Sequence, residues 1–155
     1  DEKELCRLDE IYSAVKAPFE IRSGSEKVTR RFFKICNNGR ENFTGLYKSL
    51  TEQGICKGHQ CIAYGLYMRD NGIELSEGLA VYGYSICSAI VTNCVKLVPL
   101  SQLAGQKILG ESFELISSAS EKALFTDIND IGISGAGFDL RAMQHERLYS
   151  RQYMS

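Results

Sequence analysis

The chain has 155 residues, a formal net charge of -1, 24% charged residues and 44% hydrophobic residues. This length is typical of one domain with a single core, and the composition excludes wholesale disorder, collagen-like chains and low-complexity chains. Because 18 Lys and Arg residues balance 19 Asp and Glu residues, no surface for nucleic acid or for an anionic membrane is predicted.

The start of the chain is acidic and lacks a methionine. Its first residues, Asp1-Glu2-Lys3-Glu4, do not provide the basic and apolar regions of a signal peptide. The six cysteines are spread through helix-like segments, and a chain of this size does not need disulfides to fold. We therefore predict mostly buried free thiols in a cytoplasmic protein. The missing methionine indicates that either a leading part was removed or the chain is a fragment of something longer.

Apolar residues recur at helical spacing along almost the whole chain, and the alternation typical of strands is hard to find. Pro18 ends a first helix, Ser23 and Glu26 have the spacing of a capping box, and Asp139 is a good N-cap for the last segment. The predicted helices are, in chain order, 2–16, 23–36, 41–53, 58–69, 74–96, 100 or 101 to 124, and a last segment from 139. We predict an all-α helical bundle of about six to seven helices in a single domain over 1–155.

The stretch from Leu79 to Val95 has no charged residue over 17 positions, which is near the lower limit for a membrane span. Several of its residues are polar, including Ser85, Ser88 and Asn93, and they would be costly in hydrocarbon. We therefore predict a buried central helix and no membrane contact.

Cys56, His59 and Cys61 lie within six residues and form a soft set of donors suited to zinc, nickel or copper. No second Cys/His cluster completes a tetrahedral site, so a helix start with a half-buried histidine is the preferred interpretation. Two alternatives remain: a metal carrier that uses these three residues, and a thiol hydrolase that uses a Cys–His pair from the same residues or Cys94 with His145. The glycine-rich stretch over 132–137 lacks the Lys-Ser/Thr of a phosphate loop, and no catalytic residue and no cofactor are predicted.

The last residues, 139–155, combine arginine and tyrosine, the residue types enriched at protein–protein hot spots. They are Arg141, Arg147, Tyr149, Arg151 and Tyr153. This segment is either a partner-binding tail or a solvated, frayed end. Lys96, a lone charge directly after the apolar helix, is either a cation that complements the helix C-terminus or a point of contact for a partner.

These two regions resemble a known family, that of the urease accessory protein UreF. The resemblance is carried by NCVKLVPLSQ over 93–102 followed by Gly105-Gln106, by AMQHERLYSRQYMS over 142–155, and by Phe19-Glu20-Ile21-Arg22. The chain lacks the segment with a Pro-Val/Ile-Gly motif that precedes these motifs in the family. The resemblance therefore implies that roughly the first third is missing.

The resemblance implies a dimeric all-α protein that is not an enzyme. Such a protein would join UreD (also called UreH) and the GTPase UreG on apo-urease, as a scaffold and chaperone for nickel insertion that modulates the GTPase cycle. Lys96 and Arg151 match positions implicated in contact with the GTPase. His145, Glu146 and Tyr149 match the family's C-terminal motif, which is expected to order when UreD binds, and Tyr153 lies in the same predicted partner-binding tail.

Overall fold

The computed structural model describes residues 1–36, 42–132 and 135–149. Within these ranges the chain forms α-helices, one 3₁₀ turn (Ile128–Asp130) and no β-strand, so the predicted all-α class is confirmed. The helices are α1 (Glu2–Val15), α2 (Phe19–Ile35), α3 (Phe43–Glu52), α4 (Gln60–Asp70), α5 (Leu75–Leu97), α6 (Gln102–Glu111), α7 (Phe113–Ala123) and α8 (Ala136–His145).

Eight helices are present in these ranges instead of six to seven because the segment predicted to run to 124 divides at Ser112. The Ser112 hydroxyl donates a hydrogen bond to the Leu109 carbonyl oxygen at 2.7 Å. A serine that bonds back to its own preceding turn competes with the helical hydrogen-bond pattern and can interrupt it. The periodicity of apolar residues continues across this break, which is why it was not predicted.

Two helices begin earlier than predicted. α2 begins at Phe19, where Pro18 is the N-cap and its carbonyl oxygen accepts from the Arg22 amide at 3.1 Å. Proline disrupts a helix interior, but its fixed φ angle suits a helix start. The helix therefore begins directly after Pro18, and Ser23, the predicted first residue, lies inside it. α8 begins at Ala136, and Asp139 lies in its first turn.

The chain packs as two compact units. The first unit comprises Asp1–Asn71 and the chain from Ile128 onward, and the second unit comprises Gly72–Asp127. The first therefore contains α1 to α4 with α8, and the second contains α5, α6 and α7. The single domain over 1–155 stays a prediction.

The core of the first unit is formed where α2, α3 and α4 meet. Its buried members are Phe33, Tyr47, Leu50, Cys56 and Ala63. The rings of Phe33 and Tyr47 pack edge to face with centroids 6.1 Å apart, a favourable arrangement for aromatic pairs. Cys6 of α1 packs against the edge of this core.

In the second unit α5 packs along α7 and α6. A Cβ atom at Gly83 would lie 3.1 Å from Ile116 Cγ2, so the absence of a side chain there lets α5 and α7 approach closely. The predicted burial of α5 is wrong for this chain, because Gly78 is its one buried residue. Most of its length is covered on one side only.

α5 is also the one helix in the described ranges that is long and apolar enough to cross a membrane. Length and composition alone do not separate such a span from a helix that packs inside a protein. The finding therefore assigns no membrane location.

Candidate functional site

Lys96 lies exposed in the last turn of α5, where a cation complements the carbonyl end of the helix. Beside it is a groove of about 270 Å³ between α5 and α6. The groove is lined by Val91, Thr92, Val95, Lys96, Gln102, Gly105 and Gln106. An accessible ammonium group next to two glutamine amides can recognise an anionic or hydrogen-bonding group of a protein partner.

Gly105 determines the shape of this groove. A Cβ atom at this position would lie 2.6 Å from Val95 Cγ2 and 3.3 Å from Val91 Cγ1. Valine is branched at Cβ and cannot easily move its methyl groups aside. Glycine thus brings α6 against the end of α5, and this approach places Gln102 and Gln106 beside Lys96.

The described part of the predicted tail, up to Tyr149, lies in the first unit, where α8 contacts α2. His145 Nδ1 is 2.6 Å from Glu20 Oε2, and Glu146 Oε1 accepts a hydrogen bond from the Phe19 amide at 2.8 Å. The second contact satisfies one of the amides that the first turn of a helix leaves without an intrahelical acceptor. The His-Glu pair predicted to bind a partner therefore makes contacts within the chain itself.

The segment Phe19–Arg22, recognised separately in the sequence, is the surface that receives α8. Arg22 fixes this segment to the end of α1, because its guanidinium donates to the Lys16 carbonyl oxygen at 2.9 Å. Two sequence motifs that are far apart in the chain are thus neighbours in the structure. This contact was not predicted. The one feature of the sequence that could have indicated it is that both motifs belong to the same family resemblance.

Tyr149, directly beyond this junction, is fully exposed. Arg151 and Tyr153 lie outside the described residues. Of the predicted partner-binding residues, His145 and Glu146 are brought together in the first unit with Tyr149 nearby in the chain, and Lys96 belongs to the second unit.

The metal-binding alternative depends on Cys56, His59 and Cys61 sharing one ion. Each instead contacts a different partner: Cys6 Sγ lies 3.8 Å from Cys56 Sγ, Ser13 Oγ lies 2.8 Å from His59 Nε2, and Tyr12 hydrogen-bonds Cys61. Within the described ranges, no group of three or more His, Cys, Asp or Glu side chains is arranged to hold a metal ion.

The electrostatics of the three residues also disfavour ligation. Burial raises the pKa of Cys61 and, with the Cys6 thiol and the Asp9 carboxylate as further causes, raises the pKa of Cys56 to about 12. Metal ligation requires thiolates, and the raised pKa of each thiol disfavours its thiolate form. Burial also lowers the pKa of His59, whose side chain is fully buried and not half-buried as predicted.

Asp9 is the polar centre of the first unit and was not predicted. Its carboxylate is 2% exposed and accepts hydrogen bonds from the Tyr47 hydroxyl at 2.6 Å and from the amides of Lys57 at 2.7 Å and Gly58 at 3.0 Å. Gly58 has φ +88°, a conformation that favours glycine. This network ties the connection between α3 and α4 to α1.

Comparison with known proteins places these features in a family. A model of the UreF family matches residues 1–112. The urease accessory protein UreF of Actinobacillus pleuropneumoniae serotype 3 is 35% identical over 153 residues, which cover 97% of this chain and 67% of that protein.

Two further relatives carry the same name. UreF of Haemophilus influenzae strain Rd is 35% identical over 97% of this chain and 65% of its own length, and UreF of Paenarthrobacter aurescens is 31% identical over 96% and 67%. The chain thus spans about two thirds of the length of these curated relatives. Because the family model covers most of the chain and these relatives align over nearly all of it, the chain belongs to the UreF family of urease accessory proteins.

Proposed function

We propose that this chain acts as a scaffold and chaperone in assembly of the nickel centre of urease, binding UreD/UreH and the GTPase UreG on apo-urease. The observation that carries the proposal is the junction of α8 with α2, where His145 contacts Glu20 and Glu146 contacts the Phe19 amide. This junction anchors the end of α8 to α2, and the exposed Tyr149 lies three residues beyond Glu146 in the chain.

In this proposal the tail binds UreD and the GTPase through the side chains of Tyr149, Arg151 and Tyr153. Tyrosine and arginine contribute large contact area together with directional hydrogen bonds. Arg151 and Tyr153, which belong to the C-terminal sequence that carries the resemblance, follow Tyr149 in the chain. Anchoring at the α2 start lowers the entropy that a wholly free segment would lose when a partner orders it.

Lys96 provides a second proposed contact for the GTPase. Its ammonium is exposed beside the groove that contains Gln102 and Gln106, and a surface of this type suits an acidic or amide-bearing segment of a protein partner. The proposed effect of this contact is to modulate the GTPase cycle. Nickel is the cargo of the assembled complex and needs no ligand set in this chain.

The proposal also includes a homodimer, a cytoplasmic location and no catalytic activity of the chain's own. α5 leaves Val81, Ile86 and Ile90 substantially exposed, which supports burial of this helix against another protein surface. Light scattering coupled to gel filtration tests the dimer, and cell fractionation tests the location. Recovery of the protein in the membrane fraction would contradict the second point.

Pull-down of UreG tests the tail contact directly. In the full chain co-expressed with UreD, Arg151→Ala is expected to reduce recovery of UreG and urease activation, roughly tenfold for a buried arginine contact. Arg141→Ala, at an exposed position of α8, is the matched control and should retain both. Equal recovery of UreG by wild type and Arg151→Ala would remove the assigned role.

The contact at Lys96 is tested in the same assay. Lys96→Ala is expected to weaken recovery of UreG, and more so at low salt, where an exposed charge contributes most. Lys107→Ala in α6 is the control, because Lys107 is also an exposed lysine of the second unit. If both variants recover equally reduced amounts of UreG, the decrease reflects the loss of a positive charge anywhere on the unit and contradicts a specific contact at Lys96.

A further inference from the structure

Two cysteines that are far apart in the sequence meet at the edge of the core of the first unit. Cys6 lies in the second turn of α1, and Cys56 lies in the connection between α3 and α4. Their Sγ atoms are 3.8 Å apart across a separation of 50 residues. Cys56 is 2% exposed, whereas Cys6 is partly accessible to solvent.

The surrounding hydrogen bonds hold Cys56 in place beside α1. The Cys56 amide donates to the Leu50 carbonyl oxygen at 3.2 Å, and the next two amides, of Lys57 and Gly58, donate to the Asp9 carboxylate. Asp9 lies one turn beyond Cys6 on α1. These hydrogen bonds fix the backbone at Cys56 and at the two residues after it. They therefore hold the Cys56 sulfur beside Cys6.

We infer that Cys6 and Cys56 are a modification site for hydroperoxides, at which the two thiols are oxidised to a disulfide that a dithiol reductant reverses. The juxtaposition of an accessible thiol with a buried one on separate elements of the unit is the basis of this inference.

The two cysteines have different roles in the reaction. Cys6 reacts first, because it is partly accessible to solvent, whereas Cys56 is buried. Burial, the contact with Cys6 and the Asp9 carboxylate raise the pKa of Cys56 to about 12, so this thiol stays protonated. Cys56 is therefore protected from direct oxidation. Its position 3.8 Å from the Cys6 sulfur makes it the resolving thiol, which gives up its proton as it attacks.

The steps balance with hydrogen peroxide as the oxidant. The Cys6 thiolate attacks one peroxide oxygen, the O–O bond breaks, and the departing hydroxide takes a proton to leave as water, with Cys6 now a sulfenic acid. The Cys56 sulfur then attacks the Cys6 sulfur, the S–O bond breaks, and the Cys56 proton leaves with the hydroxide as a second water. Two thiols and one peroxide become one disulfide and two waters.

The disulfide is compatible with its surroundings. The sulfurs must approach from 3.8 Å to about 2.05 Å, a movement within the range of small side-chain rotations. The product is neutral and so adds no charge next to the buried Asp9 carboxylate, whereas two thiolates would do so. The bond would join α1 to the connection before α4 and close a long loop of the chain.

The experiment oxidises the reduced full chain with one equivalent of hydrogen peroxide, alkylates the remaining thiols under denaturing conditions and maps the tryptic peptides by mass. The expected product is one peptide pair joined through Cys6 and Cys56, with Cys87 and Cys94 alkylated. Dithiothreitol should restore the thiols. The oxidised chain should melt roughly 5 to 10 °C higher than the reduced chain.

Two variants assign the roles. Cys56→Ala should leave Cys6 as a sulfenic acid that dimedone traps, and Cys6→Ala should leave Cys56 alkylated after the same treatment. Cys94→Ala, at an exposed cysteine of α5, is the control and should form the disulfide as wild type does. Circular dichroism identifies any variant that does not fold. Even if a variant fails to fold, the peptide map of the wild-type protein shows which two cysteines are joined.

Two results would overturn the inference. One is recovery of both Cys6 and Cys56 as alkylated thiols while Cys94 or Cys87 is oxidised. The other is a disulfide between any different pair of cysteines. Both are read from the same peptide map.

Discussion

The imidazole of His145 and the carboxylate of Glu20 lie 2.6 Å apart, although 125 residues separate them in the chain. The neighbouring Glu146 completes the junction by accepting from the Phe19 amide. A charged group that bonds a helix N-terminal amide is stabilised by the helix dipole as well as by the hydrogen bond. The end of α8 is therefore fixed to the start of α2 by two different polar contacts.

This junction predicts that Glu20→Gln loosens α8 while the rest of the first unit stays folded. The substitution removes the carboxylate that His145 contacts, so α8 should open more often, and tryptic cleavage at the exposed Arg147 should accelerate roughly three- to tenfold. Glu26→Gln is the control, since Glu26 lies on the same helix and pairs with Arg30. An unchanged cleavage rate in Glu20→Gln would show that the contact does not anchor α8.

Asp9 predicts a large loss of stability on truncation. Asp9→Ala leaves the buried Tyr47 hydroxyl and the amides of Lys57 and Gly58 without their acceptor. The expected decrease in the free energy of unfolding is roughly 3 to 5 kcal/mol, measured by urea denaturation. Glu10→Ala, at the next and exposed position of α1, should change it by about 0.5 kcal/mol or less. Similar losses in the two variants would contradict the role of the network.

Gly105 and Gly110 predict opposite effects of the same substitution on one helix. Gly105→Ala gains helix propensity but places a methyl group 2.6 Å from Val95 Cγ2, so it should destabilise the second unit by roughly 1 to 2 kcal/mol. Gly110→Ala meets nothing within 4 Å and should be neutral or stabilising by up to about 1 kcal/mol. Urea denaturation monitored by circular dichroism measures both. Stabilisation by Gly105→Ala would show that α6 does not need this close approach.

His59 predicts that the stability of the first unit falls as the pH falls. Burial lowers the pKa of His59 in the folded state, so the unfolded chain binds this proton more readily. The stability that neutral His59 contributes is fully present above the unfolded pKa of about 6.5 and is lost as the pH falls below it. The free energy of unfolding then decreases by up to about 1.4 kcal/mol per pH unit. A protonated ring would also bring a second buried N–H, and Nδ1 has no hydrogen-bond partner in the described part of the chain.

The measurement is urea denaturation of wild type and His59→Gln between pH 7.5 and pH 5, a range of about one unit above the unfolded histidine pKa and somewhat more below it. His59→Gln should be less stable at pH 7.5 but should show a shallower decrease towards pH 5. Parallel pH profiles for the two proteins would exclude His59 as the source of the dependence.

Much of the local structure follows from the sequence because it is encoded within a few residues. The apolar spacing of 3.6 residues places α1, α3, α4 and α5 close to their observed bounds. The early start of α2 and the break at Ser112 were missed because Pro18 and Ser112 each permit two local structures. The burial of α5 was wrong because composition reports how apolar a helix is and not what covers it.

The sequence by itself determined the all-α class, most of the helices and the motifs that identify the family. Only the tertiary structure decided that His145 and Glu146 contact the start of α2, that Asp9 holds the connection after α3, and that Cys6 meets Cys56. Helical periodicity is a property of neighbouring residues, whereas these contacts join positions 48 to 127 residues apart. Such pairs form only when packing of the apolar faces brings the helices together, and no local pattern specifies them.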